Sequence, residues 1–423
     1  MKICMMTNTY LPHVGGVARS VSTFAEEYLR LGHDVLVVAP RLPGRVSRRA
    51  ERIVERVAAI QNFNGSDFSV RLPLAAGLSD RLDSFAADII HAHHPFLLGD
   101  TALRMATTRT IPVVFTHHTR YEDYVHYVPF ASAVLRRAAI QLSTEFANLC
   151  DGVIAPSPSI ATLIRRRGVT VPVAVVPTGV DTAAFAGGDG ARFRARYGIP
   201  PRAFVVGHVG RLAPEKNLGY LADAAARFLR AAPEAWFLVI GGGPAEATLR
   251  AAFESAGLAA RLVLAGPHTG ASLADGYRAM DVFAFSSLSE TQGLVVTEAM
   301  AAGLPVVALR APGVRDVVAP DVNGFLLPSG AAPAVFARHL ARLHAEPARV
   351  RAFSTAARAT AEDCSRERCA RRALEFYQEV RGATRRERLL SRQNPWLALQ
   401  ERIGVEWDLL ARNARALTTA LAS

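Results

Sequence analysis

The feature that most constrains this chain is a repeated alternation of short, unbroken apolar runs with amphipathic stretches. KICMMTN opens the chain as a strand candidate, and residues 18–31 then read as a helix stopped by Gly32. DVLVVAP, DIIHAH, IPVVFTHH and GVIAPS follow as further strand candidates. Strands covered on both faces of a parallel sheet carry such continuous Val/Ile/Leu runs, whereas half-exposed strands alternate. The pattern restarts after residues 177–201, PTGVDTAAFAGGDGARFRARYGIPP, a stretch rich in Gly, Pro and Ala. Beyond it AFVVGHVG, AWFLVIGGG, RLVLAG, DVFAFSS, PVVAL and GFLL form a second series with helical segments between them.

A chain of 423 residues exceeds one ordinary core. The fold class expected is therefore α/β, with two Rossmann-like, doubly wound parallel-sheet domains rather than one barrel. The boundaries expected are 1–181 and 182–370, with a hinge near 180–200 and a helical segment over 371–423. That tail carries Trp396 and Trp407 and fits a helix returning to the first domain. No membrane-spanning apolar run occurs, and MKICMMTNTY lacks the long apolar core of a signal peptide. The cysteines Cys4, Cys150, Cys364 and Cys369 are scattered, without the spacing of a disulfide framework, so a reducing cytoplasm is the simplest setting.

The formal net charge is +12, and nearly all of the basic residues are arginine, since Lys2 and Lys216 are the only lysines. The arginines cluster: six lie between Arg41 and Arg56, three at Arg165–Arg167, and many between Arg366 and Arg415. An anionic membrane surface is the first partner expected for such patches, a merely solvated basic face the second. Nucleic acid comes last, because no recognised nucleic-acid module accompanies the charge and aromatic residues are not interleaved with it.

Several motifs sit where strands pass into helices. Gly15-Gly16, in YLPHVGGVARS, follows the first strand. Glycine amides at a helix start suit a phosphate, though a tight turn alone also calls for glycine, and the dinucleotide fingerprint G-x-G-x-x-G is absent. In HVGRLAPEKN, Arg211 and Lys216 lie just past a strand end, where α/β sheets bind ligands, with Gly210 beside them. Two cations there can neutralise a diphosphate leaving group, and a lysine kept in an arginine-rich chain suggests a compact point charge is wanted. In SETQGLVVTEAMAAGLPVV, residues 295–302 read as a helix ended by Gly303 and Pro305, with Glu290 in the preceding loop and Glu298 in the second turn. The amides of Gln292, Gly293 and Leu294 would then line an anion seat between two carboxylates suited to hydroxyl-rich ligands. The plainer alternative makes Glu290 a partner of the helix dipole. His91, His93 and His94 in HAHHPF and His117, His118 and His126 in FTHHTRYEDYVHY follow strands of the first half. They read as cleft-lining hydrogen bonders rather than zinc ligands, because neither H-E-x-x-H nor a cysteine finger is present. Asp-x-Asp is also absent, which weakens a metal-bound nucleotide–sugar mechanism.

GGVARS, THHT, GRLAPEKN and ETQGLVVTEAMAAGLPVV, in that order and at those distances, resemble the retaining GT-B glycosyltransferases of family 4 over about residues 1–380. The resemblance implies two domains facing a cleft and a hexosyltransferase that uses a nucleotide-sugar without metal or other cofactor. It implies that Gly15 and Gly16 cover the donor diphosphate and that His118 contacts the transferred sugar. Arg211 and Lys216 would stabilise the departing diphosphate, Glu290 hold the sugar hydroxyls and Glu298 the ribose. The segment Gly266–Thr269, with Pro267 and His268, would meet the nucleobase. Where most members read E-G-F-G-L, this chain has E-T-Q-G-L, which together with HHPFLLGD and HHTRYEDYVHYVP is similar to the branch containing diacylglycerol glucosyltransferases. UDP-glucose and a lipid acceptor are then expected, with Tyr121, Tyr124, His126 and Tyr127 at the acceptor mouth. The arginine clusters would hold the protein on the inner membrane face. GDP-mannose or a soluble acceptor is the alternative, and a nucleotide-binding protein without turnover a third.

Overall fold

The computed structural model describes residues 1–13, 15–42, 51–60, 70–71, 77–123, 133–393, 408–409 and 411–412, with side chains of all but 59–60, 70–71 and 384–393. The chain forms two compact units: Met1–Gly179 with Cys369–Ser423, and Val180–Arg368.

In the first unit seven strands form one sheet: β1 (Lys2–Met6), β2 (Asp34–Pro40), β3 (Val54–Val57), β6 (Ile89–Ala92), β7 (Val113–Thr116), β8 (Gly152–Ala155) and β9 (Val173–Val175). A separate antiparallel pair joins β4 (Ala59–Ile60) to β5 (Val70–Arg71). The sheet order is β3-β2-β1-β6-β7-β8-β9, and every pairing in it is parallel. Order reverses between β1 and β6, so the loops leaving these two strands flank a crevice at the carboxyl edge of the sheet. The long apolar runs predicted the five inner strands. The edge strands β3 and β9 escape that reading, because β3 interposes Glu55 and Arg56 and β9 lies half-exposed. One sheet face buries Ile3, Met5, Val35, Val37, Ile89 and Val114 under the helix Gly16–Arg30 and the C-terminal helix.

That C-terminal helix, Arg366–Gln393, belongs to the first unit from Cys369 onward, and Cys369, Ala373, Phe376, Tyr377 and Val380 are buried in it. Gly152 on β8 permits the approach, since an added Cβ would lie 2.7 Å from the Phe376 ring and 2.9 Å from a Val380 methyl. Arg381 seals the contact with a 2.6 Å bond to Asp88. Further along, Arg412 is 1 % exposed, pairs with Asp100 at 2.6 Å and donates to the Pro95 carbonyl at 3.0 Å. Trp396 and Trp407 lie outside the described residues.

The second unit holds β10 (Phe204–Val209), β11 (Ala235–Ile240), β12 (Leu262–Leu264), β13 (Val282–Phe285), β14 (Val306–Leu309) and β15 (Gly324–Leu327). Their order is β12-β11-β10-β13-β14-β15, again parallel throughout, with the reversal between β10 and β13. Apolar clusters cover both faces. The stretch read as a hinge is folded into this unit. Helices Thr182–Ala186 and Gly190–Arg196, capped by Asp181 and Asp189, bury Phe185 and Phe193 in its core. Its glycines and alanines serve close packing there.

The basic clusters are also partly consumed by the fold. Arg56 bonds Glu51 and the carbonyls of Pro40 and Leu11, Arg165 the Val173 carbonyl, and Arg167 pairs with Glu122 at 2.6 Å. The four cysteines are buried and none is in a disulfide. Among the described residues no helix is long and apolar enough to cross a membrane.

Candidate active site

The second unit concentrates its polar residues at the carboxyl ends of β10 and β13. Backbone and side-chain bonds tie the two exits together: Ser286 Oγ lies 3.0 Å from the Lys216 carbonyl and 3.1 Å from that of Asn217. This brace aims Lys216 across the sheet, where its Nζ lies 2.6 Å from Glu290 Oε1, with only 17 % and 14 % of the two side chains exposed. Burial alone would raise the Glu290 carboxyl, but the Lys216 ammonium beside it holds it below the usual carboxylate range. Glu290 is thus partnered by a cation in this unit. The other predicted cation, Arg211, is half-exposed and pairs with Glu215.

Beyond Glu290 the chain turns through Gly293, left-handed at φ 72°, into the helix Leu294–Ala301, one residue earlier than predicted. The helix start has no side-chain cap and no acidic residue in its first turn. Its first amides have no acceptor within the helix, so with the positive end of the dipole they suit an anion. Gln292 packs its backbone against Gly313, where an added Cβ would lie 2.6 Å from the Gln292 nitrogen. Glu298 faces inward at 1 % exposure, and Tyr277 donates to its Oε2 at 2.8 Å.

A second wall of the same unit comes from three stitched loops. Gly210 donates to the Ile240 carbonyl, Leu212 to that of Gly242, and Gly241 to that of Gly266, all at 2.9–3.0 Å. Gly241 is required by contact, because an added Cβ would lie 1.8 Å from the Gly210 oxygen. Pro267 abuts Gly242, and His268 is held on both ring nitrogens, by Tyr197 and by Ser272, each at 2.8 Å. The Gly241–Gly243 turn was readable in AWFLVIGGG as a glycine run at a strand end, a signal absent from the predicted site. His208 was missed too. Its Nδ1 donates to the Ala284 carbonyl at 3.1 Å, and its buried ring, stacked near Phe285, is held down to about 4 mainly by burial.

In the first unit the exits of β1 and β6 meet through Asn8. Its amide donates to His94 Nδ1 at 3.1 Å, its side chain donates to the Phe96 carbonyl, and it accepts from the Leu98 amide. Gly15 stands just before the helix Gly16–Arg30, whose start is also uncapped and free of acidic residues. An added Cβ at Gly15 would lie 2.9 Å from His13 Nε2, whereas one at Gly16 would meet nothing within 4 Å. Among the described residues, contact therefore accounts for glycine at 15 and leaves open space at 16.

The histidines form a connected stack. His91 bonds Thr116 Oγ1 and the Tyr377 hydroxyl, each at 2.6 Å, and Tyr377 bonds Tyr28 at 3.0 Å. His93 lies 4.0 Å from His91, centroid to centroid, and its Nδ1 is 2.9 Å from His118 Nε2. Burial pushes His91 down to about 3 and lowers His93 and His118 strongly, so all three are neutral at physiological pH. His117 points elsewhere, into a buried contact with Phe115 and Tyr121. Tyr121 also packs on Phe96. Of the predicted acceptor residues, Tyr124, His126 and Tyr127 lie outside the described residues. Among the described residues no group of three or more His, Cys, Asp or Glu is arranged to hold a metal ion.

Comparison with known proteins gives a consistent answer. The family model described as Glycosyltransferase Family 4 matches residues 14–184, and that described as Glycosyl transferases group 1 matches residues 189–360. The chain is 30 % identical over 336 residues to the alpha-monoglucosyldiacylglycerol synthase of Streptococcus pneumoniae, covering 77 % of this chain and 75 % of that protein. It is 32 % identical over 335 residues to the GDP-mannose-dependent alpha-mannosyltransferase of Mycobacterium tuberculosis, covering 78 % and 84 %. Among solved structures, Anabaena HepE in complex with UDP superposes with a TM-score of 0.72 at 22 % identity over 90 % of this chain and 100 % of that one, a likeness of fold.

Proposed function

Because this chain belongs to glycosyltransferase family 4, we propose that it moves a glucosyl group from UDP-glucose to a lipid hydroxyl such as that of diacylglycerol. The observation that carries this reading is the Lys216–Glu290 pair, 2.6 Å across and set before the uncapped helix start at Leu294. A diphosphate fits such a place, since one compact cation and a set of oriented amides can take the charge that grows as the sugar leaves.

In this reading Lys216 and Arg211 receive the diphosphate, with the Gly15-Gly16 turn and the amides of Gln292, Gly293 and Leu294 completing its contacts. Binding exchanges the partners of the two cations, releasing Glu290 to take the sugar hydroxyls. Glu298 receives the ribose, Gly210 and the Pro267–His268 turn flank the base, and His118 contacts the transferred sugar. The bond from the anomeric carbon to the phosphate oxygen breaks as the acceptor oxygen bonds the same face of that carbon. Same-face attack retains the configuration, the acceptor proton passes to the departing diphosphate, and this reading uses no metal. Tyr121 and the segment that follows it take the acceptor.

The lipid acceptor is supported by the names of relatives, two of which are alpha-monoglucosyldiacylglycerol synthases. The basic surface left after the internal pairings would hold the protein at an anionic cytoplasmic membrane face, each arginine near it contributing about 1 kcal/mol. A GDP-mannose donor is the second reading, favoured by the mannosyltransferase relatives at 32 % identity. A ligand that binds only the folded state stabilises it by about 2.7 kcal/mol at a hundred times its dissociation constant. We expect UDP-glucose and UDP to raise the melting temperature, and GDP-mannose and GDP to leave it unchanged at equal concentration. A rise with the guanine nucleotides alone would replace the donor.

A further inference from the structure

The half-buried His118 lies two residues beyond the end of β7 and is contacted from the β6 exit. Its Nε2 lies 2.9 Å from Nδ1 of His93, which is 0 % exposed and wedged beside His91 at 4.0 Å between centroids. His91 is itself fixed at both nitrogens by Thr116 and Tyr377. In the 2.9 Å contact one of the two rings must donate. Among the described residues, His93 Nε2 is buried and meets no hydrogen-bond partner. Were His118 the donor, the proton of neutral His93 would sit on Nε2 as a buried N–H without an acceptor, an arrangement proteins avoid more strictly than an idle lone pair. With His93 donating from Nδ1, only a lone pair is left over, and His118 carries its proton on Nδ1.

We propose that His93 is a positioning residue that fixes the ring and the tautomer of His118, making His118 a hydrogen-bond donor through Nδ1. This rests on the reading that His118 contacts the transferred sugar, whose hydroxyl and ring oxygens are acceptors. His91, Thr116, Tyr377 and Tyr28 form the rigid backing of the stack. Two variants separate positioning from packing: His93→Phe keeps an aromatic ring but removes the donor, and His93→Asn offers a donor near the Nδ1 position.

Loss of a partner that orients a site imidazole costs about ten- to a hundredfold at metal sites, and the same range is expected here in kcat. KM for the nucleotide-sugar should change less than twofold in His93→Phe, and His93→Asn should recover most of kcat. In wild-type protein, nitrogen chemical shifts should report His118 with its proton on Nδ1, and that signature should be lost in His93→Phe. A proton on Nε2 of wild-type His118 would overturn the proposal, as would an unchanged kcat and tautomer in His93→Phe. The tautomer of wild-type protein and His93→Asn decides the matter even if His93→Phe fails to fold. Wild-type protein that transfers no hexose would count against the functional reading, and the nitrogen shifts would still test the His93–His118 contact separately.

Discussion

Lys216→Ala and Glu290→Ala are each expected to lower kcat for hexosyl transfer by about two to three orders of magnitude, equivalent to about 2.7–4 kcal/mol of lost transition-state stabilisation. The two side chains are mutual partners at 2.6 Å in a largely water-excluded place, so each holds the other's charge until the donor arrives. In the proposed reaction their tasks diverge, the ammonium going to the diphosphate and the carboxylate to the sugar. Lys216→Arg should rescue little, because a planar guanidinium cannot reproduce a compact ammonium at one phosphate oxygen. The double variant should cost less than the sum of the singles, as contacting residues do not act additively. Steady-state UDP release measures all four, with thermal melting as the control that the proteins stay folded. Full turnover in both single variants would remove the pair from the mechanism.

The second large effect concerns acid. His91, His94 and His117 are buried and pushed down to about 3, about 3 and about 4, in each case chiefly by burial, while in the unfolded chain a histidine titrates near 6.5. Between those values the unfolded chain binds more protons than the folded one, so stability is complete above about pH 6.5 and falls as pH drops. Each such histidine removes about 1.4 kcal/mol at one pH unit below its unfolded value, so three remove on the order of 4 kcal/mol at pH 5.5. His93 and His118 are lowered in the same direction. All five lie in the first unit, whereas His208 is the one such group with a lowered value among the described residues of the second. Calorimetry from pH 7.5 to 5 should therefore show the first unit's transition moving down steeply and the second's much less. Two transitions falling in parallel, or not at all, would contradict the burial of this stack.

The legible part of the fold was set by burial. Strands covered on both faces leave continuous apolar runs, so β1, β2, β6, β7 and β8, and all six strands of the second sheet, could be read directly. The edge strand β3 could not, since Glu55 and Arg56 face water or a local partner there. Residues 180–200 read as a hinge because glycine and alanine mark both loops and tight packing, and only the contacts of Phe185 and Phe193 decide between them. In the site, Lys216 and Glu290 were each legible from their motifs, but their pairing across 74 positions was not. The brace of Ser286, the hydroxyl of Tyr277 on Glu298 and the inward arginines Arg56 and Arg412 belong to the same class. They are single polar contacts made by tertiary structure and leave no periodic trace.

The central claim, glucosyl transfer to a lipid, is tested most directly by incubating the protein with radiolabelled UDP-glucose and vesicles of diacylglycerol in anionic phospholipid, then counting label in the organic extract. We predict label in the extract that is lost with Lys216→Ala, lost when diacylglycerol is omitted, and weak when GDP-mannose replaces the donor. Label that stays in the aqueous phase while UDP is released, or that enters lipid equally well in the Lys216→Ala variant, would contradict the account.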